Sequence, residues 1–100
     1  MQPIRQGDVI LLPIPFQADI PGQELPHLTI AEGEVTGHAH RISTGEAELR
    51  FIDRTLYLSV RSNVATLTHE EHRSIDIPQG HWIIRIQRQY EPDGWRAVAD

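Results

Sequence analysis

One hundred residues, 39% of them hydrophobic, are enough for one domain with a single hydrophobic core. No apolar run approaches the roughly 18–20 residues of a membrane-spanning helix, and the beginning of the chain lacks the basic-then-apolar order of a secretory signal. A cytoplasmic protein without a membrane partner is therefore expected. The absence of cysteine excludes disulfides, thiolate nucleophiles and cysteine-bound zinc. With a net charge of −5 and dispersed arginines as the only basic side chains, the sequence gives no support to nucleic-acid binding.

The predicted elements are short β-strands separated by glycine and proline turns. A Gly-Asp turn leads into the first strand, Val9 to Leu12, which is entirely apolar. Prolines then dominate residues 13–26 and exclude a central strand, so this stretch is predicted to be a long loop. Such a loop serves as a lid or an oligomer arm, or is simply solvated. Further strands are predicted at 28–31, 38–43, 47–52, 55–61, 64–69, 75–77, 82–90 and 95–99, with turns at Ser62-Asn63 and at Pro78-Gln79-Gly80 among those between them.

The hydrophobic pattern alternates with a period of two, and no long stretch has the period of a helix. About eight short strands with regular turns predict an all-β fold, a small antiparallel β-barrel or sandwich, closed or nearly closed, with residues 1–100 as one domain. The alternation also assigns a buried face. The residues predicted to be buried are Val9, Leu11, Leu49, Phe51, Leu56, Leu58, Leu67, Ile84 and Ile86.

Two histidines in one predicted strand have the spacing of a metal-binding pair. Residues two apart on a strand point to the same face, so His38 and His40 project together while the small Ala39 faces away. Their backbone positions are about 6–7 Å apart, close enough for two imidazoles to converge on one ion. Gly37 permits a tight entry into the strand.

A second histidine pair, His69 and His72, brackets Glu70 and Glu71 at the end of another predicted strand. His69 shares a face with the apolar residues before it and is expected to point inward. His72 lies past the turn, as a fourth ligand or a rim residue. The pair is one residue short of the zincin motif HExxH, and no helix is predicted there.

Together these residues predict one metal site. His38, His40 and His69 are the expected ligands, with His72 optional, for one divalent transition metal ion such as zinc, iron, nickel or manganese. Glu70 or Glu71 would act as general base or further ligand. An alternative is proton transfer by the histidines without a metal. The remaining histidines, His27 and His81, are predicted to be ordinary surface or core residues.

The residues between 33 and 81 resemble the motifs of the cupin superfamily. Gly33, His38 and His40 resemble the glycine and HxH pair of the first motif, Glu46 or Glu48 stands near its glutamate, and 78–80 resembles the PxG turn of the second. The spacings differ by single residues, and His81 follows Gly80 directly, where a cupin has a gap. The resemblance implies a small β-barrel with a metal site, of the kind that serves isomerases, dioxygenases, lyases and binding proteins.

The leading functional hypothesis is a metal-dependent enzyme that acts on a small polar or anionic molecule. Three imidazole ligands leave coordination positions open for water or substrate. Candidate anion contacts come from Arg41, Arg50, Arg85 and Tyr57. The competing hypotheses are a non-catalytic metal-binding module and a pH-responsive interaction protein, and a homodimer is compatible with each.

Overall fold

The computed structural model describes residues 1–15, 20–33, 37–91 and 94–97, and its description of side chains extends to Gln87. Within these ranges the regular elements are β-strands, and no helix long and apolar enough to cross a membrane occurs. The strands are β1 (Ile4–Gln6), β2 (Val9–Pro13), β3 (Gln23–Glu24), β4 (Thr29–Glu32), β5 (Ala39–Thr44), β6 (Ala47–Ile52), β7 (Thr55–Thr68), β8 (Ile75–Ile86), β9 (Arg88–Glu91) and β10 (Gly94–Ala97). The predicted all-β class is confirmed.

A long hairpin of β7 and β8 organises the sheet. The main hydrogen-bonded order is β1-β2-β8-β7-β5-β4, all antiparallel, and β6 also pairs with β7 and carries β3 on its other edge. The pairing of β7 with β8 shifts register between Val60 and Val64. Before the shift β7 pairs with β6, and after it with β5. The hairpin therefore belongs to two halves of the sheet.

The two halves of the sheet enclose one hydrophobic core. Val9 and Leu49, from the half that contains β2 and β6, belong to the same buried cluster as Ile30 and Ile42, from β4 and β5. The sheet must therefore fold over on itself, as a sandwich does. In the part of the chain that the structure describes, its strand path ends at β1 and β4 and does not close into a barrel. The antiparallel architecture is as predicted; barrel closure is not found.

Two predicted turns lie inside strands. Ser62-Asn63 falls within β7, where the register shift absorbs the extra residues, and Pro78-Gln79-Gly80 falls within β8. Pro78 pairs with Val64 of β7, while β2 pairs only with residues 82–86, so the proline lies in a part of β8 with a single described neighbour, where it is better tolerated than in a central strand. The turn predictions were wrong because composition alone does not reveal a bulged or one-sided strand.

The remaining boundaries differ locally. Within the predicted loop 13–26, Gln23–Glu24 forms β3 against Phe51 and Arg50, while residues 16–19 lie outside the described part. The predicted strand 82–90 is divided between β8 and β9. The predicted tail strand, 95–99, overlaps β10, which pairs with β9, and its residues 98 and 99 lie outside the described part.

The core follows the alternation with one clear exception. Buried as predicted are Val9, Leu11, Leu49, Leu58, Leu67 and Ile84, while Leu56 and Ile86 are partly buried and pack against them. Phe51, predicted to be buried, is 46% exposed. It is on the same face of β6 as Leu49 but lies near the end of the strand, beyond the edge of the buried core. Trp82, which was not among the predicted core residues, is fully buried, and its indole N–H donates to the Pro78 carbonyl at 3.3 Å.

Candidate metal centre

Four histidine rings form one cluster at the end of the sheet where β5 and β7 meet, and we call His38, His40, His69 and His72 the histidine cluster. The ring centroids are 4.3 Å apart for His40–His69, 4.5 Å for His69–His72, 5.6 Å for His38–His69 and 5.8 Å for His40–His72. All four predicted metal-binding histidines are therefore brought together. His69 points inward, as expected, and is only 7% exposed.

The strand register explains why two distant histidines meet. Arg41 of β5 pairs with Thr68 of β7. The residues one step further along each strand, His40 and His69, therefore lie side by side. His38 precedes β5, and His72 lies in the segment between β7 and β8, so both approach the pair from connecting segments.

His40 is held on one side by a buried glutamine of β1. The Gln6 amide nitrogen donates to the carbonyls of Leu67, at 3.1 Å, and Arg73, at 2.9 Å. Because both partners are acceptors, the amide oxygen must be the atom that faces His40 Nδ1, at 2.8 Å. An amide oxygen only accepts, so Nδ1 of His40 carries a proton.

The other nitrogen of His40 faces a buried carboxylate. Asp8 Oδ1 lies 3.2 Å from His40 Nε2, and the two side chains are 7% and 1% exposed. Sequence reasoning missed both Gln6 and Asp8, because the Gly-Asp pair was interpreted only as a turn. A carboxylate directly before an entirely apolar strand is the signal that could have indicated a buried acidic group.

His38, His69 and Glu70 form a group of potential metal ligands. One potential ligand atom from each of the three residues lies within 4.8 Å of the others. The Glu70 carboxylate accepts the Ala39 backbone N–H at 2.9 Å and lies 3.5 Å from Arg41 Nη1. The Ala39 hydrogen bond, with smaller contributions from the Glu70 backbone and the Arg41 charge, lowers the pKa of Glu70. Glu70 is therefore anionic at neutral pH.

Glu71 adjoins the same donor group. Its backbone N–H donates to His69 Nδ1 at 3.0 Å, so the neutral His69 ring carries its proton on Nε2. The Glu71 carboxylate is 52% exposed and stands 3.6 Å from His38 Nδ1. Glu70 and Glu71 thus lie on the exposed side of the cluster, and Asp8 and Gln6 on its buried side.

The other candidates named from the sequence lie elsewhere. His27 is exposed and accepts the Thr29 backbone N–H, and His81 bonds Ser59 on the other half of the hairpin. Arg50 and Glu48, the latter near the cupin glutamate position, form an ion pair at 3.3 Å. A cavity of about 330 Å³ opens beside this pair, and no histidine lines it. Arg85 is exposed, and Tyr57 lies in β7 opposite Ile83.

Comparison with known proteins places the chain in a family. The profile described as "Domain of unknown function (DUF8820)" matches residues 5–87, and the chain belongs to this family. Searches of curated proteins and of solved structures found no significant match. The matched range contains Gln6, Asp8 and the complete histidine cluster.

Proposed function

We propose that this DUF8820 protein binds one divalent transition metal ion through His38, His69 and Glu70, and that the bound ion serves an enzyme acting on a small polar or anionic molecule. The observation that carries the proposal is the convergence of these three donors within 4.8 Å. Two imidazoles and a carboxylate form a ligand set suited to iron, manganese or zinc.

The separation of the donors is near what one ion requires. Ligands about 2.1 Å from an ion are roughly 3.0–3.4 Å apart at right-angled or tetrahedral positions and about 4.2 Å apart when opposite. Donors within 4.8 Å need only a small closing movement. Ligation through His69 Nε2 would require the ring proton to move to Nδ1 and the Glu71 N–H to give up its hydrogen bond to that nitrogen.

Three protein ligands leave coordination positions open, which is the arrangement of catalytic rather than closed structural sites. A bound ion would supply Lewis acidity or an activated water there. Glu71, half exposed and beside His38, is the proposed general base. Arg41, whose Nη1 lies 3.5 Å from Glu70, is the proposed contact for an anionic substrate. The finer cupin likeness, the cytoplasmic location and a homodimeric form stay predictions from the sequence.

A non-catalytic role is the second candidate, and one observation favours it. Gln6 and Asp8 tie the β1–β2 hairpin to His40, Leu67 and Arg73, so the cluster already joins distant parts of the fold. A metal ion at the cluster would then stabilise the protein without turning over a substrate.

The test is metal analysis of untagged protein after exposure to zinc, iron, nickel or manganese. We expect metal uptake that is lost in His38→Ala and in Glu70→Gln and kept in the control His27→Ala, an exposed histidine outside the cluster. Because metal ions bind neutral imidazoles, metal binding should weaken on acidification. Failure of the parent to take up any of these metals would refute the proposal.

Substituting cobalt separates the two candidate roles. An open coordination position predicts that small anions such as acetate or phosphate change the cobalt visible spectrum. A closed structural site predicts a spectrum insensitive to anions, together with a rise in the thermal midpoint on metal binding.

A further inference from the structure

The two histidines of the His38-Ala39-His40 sequence have different surroundings. His38 is 26% exposed and belongs to the group of potential ligands with His69 and Glu70. His40 is 1% exposed, and it is not a member of that group. Equal spacing in the sequence therefore does not give the two histidines equal roles.

Both ring nitrogens of His40 are engaged by buried residues of the β1–β2 hairpin. Nδ1 donates to Gln6 Oε1 at 2.8 Å, and Nε2 pairs with the Asp8 carboxylate at 3.2 Å. Because a carboxylate this deeply buried must be paired and hydrogen-bonded, Nε2 is the donor in the second contact. A metal ion binds an imidazole nitrogen that carries no proton. Neither nitrogen of His40 is then available as a ligand.

The His40 ring packs against the ring of His69, which is one of the three assigned ligands. The ring centroids are 4.3 Å apart and the planes are tilted by 36°. The contact follows from the strand register, in which Arg41 of β5 pairs with Thr68 of β7. Because the His40 ring is held at both nitrogens, it is a fixed surface that limits the orientations open to the His69 ring.

The residues on either side of His40 hold another ligand. The Ala39 N–H donates to the Glu70 carboxylate at 2.9 Å, and Arg41 Nη1 lies 3.5 Å from the same carboxylate. Three consecutive residues of β5 thus contact the two ligands that come from the end of β7 and the residue after it. Ligands held by such contacts need less reorganisation when an ion binds.

We propose that His40 is a positioning residue and not a metal ligand: held by Gln6 and Asp8, it orients the His69 ring toward the other two ligands. The proposal rests on the proposed function, since it concerns the same metal site. It gives the β1–β2 hairpin, which contributes none of the three assigned ligands, a role in metal binding. Residues that orient ligands in this way typically change metal affinity by about 10–100-fold.

The experiment measures two properties of the untagged protein. Competition with a chelator gives the zinc affinity, and proton NMR of the cobalt-loaded protein counts the shifted imidazole N–H signals, one for each coordinated histidine. His40→Gln removes the ring, and His81→Gln makes the same change at a partly buried histidine that bonds Ser59 outside the cluster. We expect one equivalent of metal and two shifted signals in all three proteins, with zinc binding about 10–100-fold weaker in His40→Gln only.

Two further variants separate positioning from general destabilisation. Asp8→Asn removes the charge that pairs with His40 and leaves the ring in place, so we expect weaker zinc binding with the same two signals. It also takes the place of His40→Gln if that variant does not fold by circular dichroism. Leu58→Ala removes a fully buried core side chain, so we expect a lower thermal midpoint and an unchanged zinc affinity.

The outcomes distinguish this proposal from the proposed function. Three shifted signals in the parent, with one lost in His40→Gln, would make His40 a ligand and overturn the positioning role. Parent-like affinity in both His40→Gln and Asp8→Asn would overturn the positioning role and leave the metal site. An equal loss of affinity in Leu58→Ala would attribute the effect to stability, against the proposal. A parent that binds neither zinc nor cobalt would overturn the metal site and the positioning role together.

Discussion

Two polar clusters of this protein differ in how deeply they lie in the sheet. Beside the first half of the β7–β8 hairpin, Glu48 bonds Arg61 and pairs with Arg50 at 3.3 Å. Glu48 is 11% exposed, but its partners Arg50 and Arg61 reach solvent, with 30% and 64% of their side chains exposed. Beyond the second half, His40 bonds both Gln6 and Asp8, and all three side chains are almost completely buried. Water can replace a lost partner in the first cluster but not in the second. Buried polar groups therefore carry the larger energetic consequences and the stronger indication of function.

The largest expected effect comes from a substitution that disrupts the buried cluster of Gln6, Asp8 and His40. Gln6→Leu leaves the Leu67 and Arg73 carbonyls and His40 Nδ1 without their described partner, so we expect a loss of about 2–3 kcal/mol in unfolding free energy. Urea denaturation measures it. The control is Gln79→Leu, an exposed glutamine that donates to the Arg61 carbonyl at 2.5 Å, with an expected loss below about 1 kcal/mol. Equal losses would show that burial does not distinguish the two clusters.

Two glycines with similar φ angles test whether the β1–β2 turn packs against the histidine cluster. Gly7 and Gly37 have φ of +59° and +74°, so alanine at either position costs about 1–2 kcal/mol in the left-handed region. A Cβ at Gly7 would also collide with His72, whereas one at Gly37 meets nothing within 4 Å. Gly7→Ala should therefore lower the thermal midpoint more than Gly37→Ala. A Gly37→Ala protein of lower or equal midpoint would contradict the packing of His72 against the turn.

The smallest expected effect is the pH dependence of the ion pairs around Glu48. Burial raises the pKa of Glu48, but the Arg61 hydrogen bond and the charges of Arg50 and Arg61 outweigh it and hold the pKa below its ordinary value of 4.5. A carboxyl with a lowered folded pKa stabilises the fold above its unfolded pKa, and this stabilisation disappears as the pH falls through the folded pKa. Glu48→Gln should cost less than about 1 kcal/mol at pH 7, and the cost should shrink as the pH falls below the ordinary pKa of 4.5.

Urea denaturation at several pH values measures the Glu48 effect, with Glu46→Gln, an exposed neighbour, as the control. A Glu48→Gln deficit that grows on acidification would have the wrong sign and would refute the ion-pair explanation.

The sequence by itself determined the strand class, most of the core and the histidine spacing. Alternation is a local property, and it correctly buried Leu49 and Leu58 because each side chain on a strand faces one side only. The inward direction of His69 was likewise readable from its neighbours in the chain. The two-residue spacing of His38 and His40 did not determine which donors converge, because His38 precedes β5 and groups with His69 and Glu70.

Only the tertiary structure decided which groups surround His40. Gln6 and Asp8 belong to the first hairpin, 34 and 32 residues away in the chain, and reach His40 because the two halves of the sheet fold over one core. The one local signal is the carboxylate placed directly before an apolar strand, and it does not indicate which group the carboxylate meets. The same global packing left Phe51 exposed, because a strand's alternation says which side a residue faces but not how far the core extends beneath it.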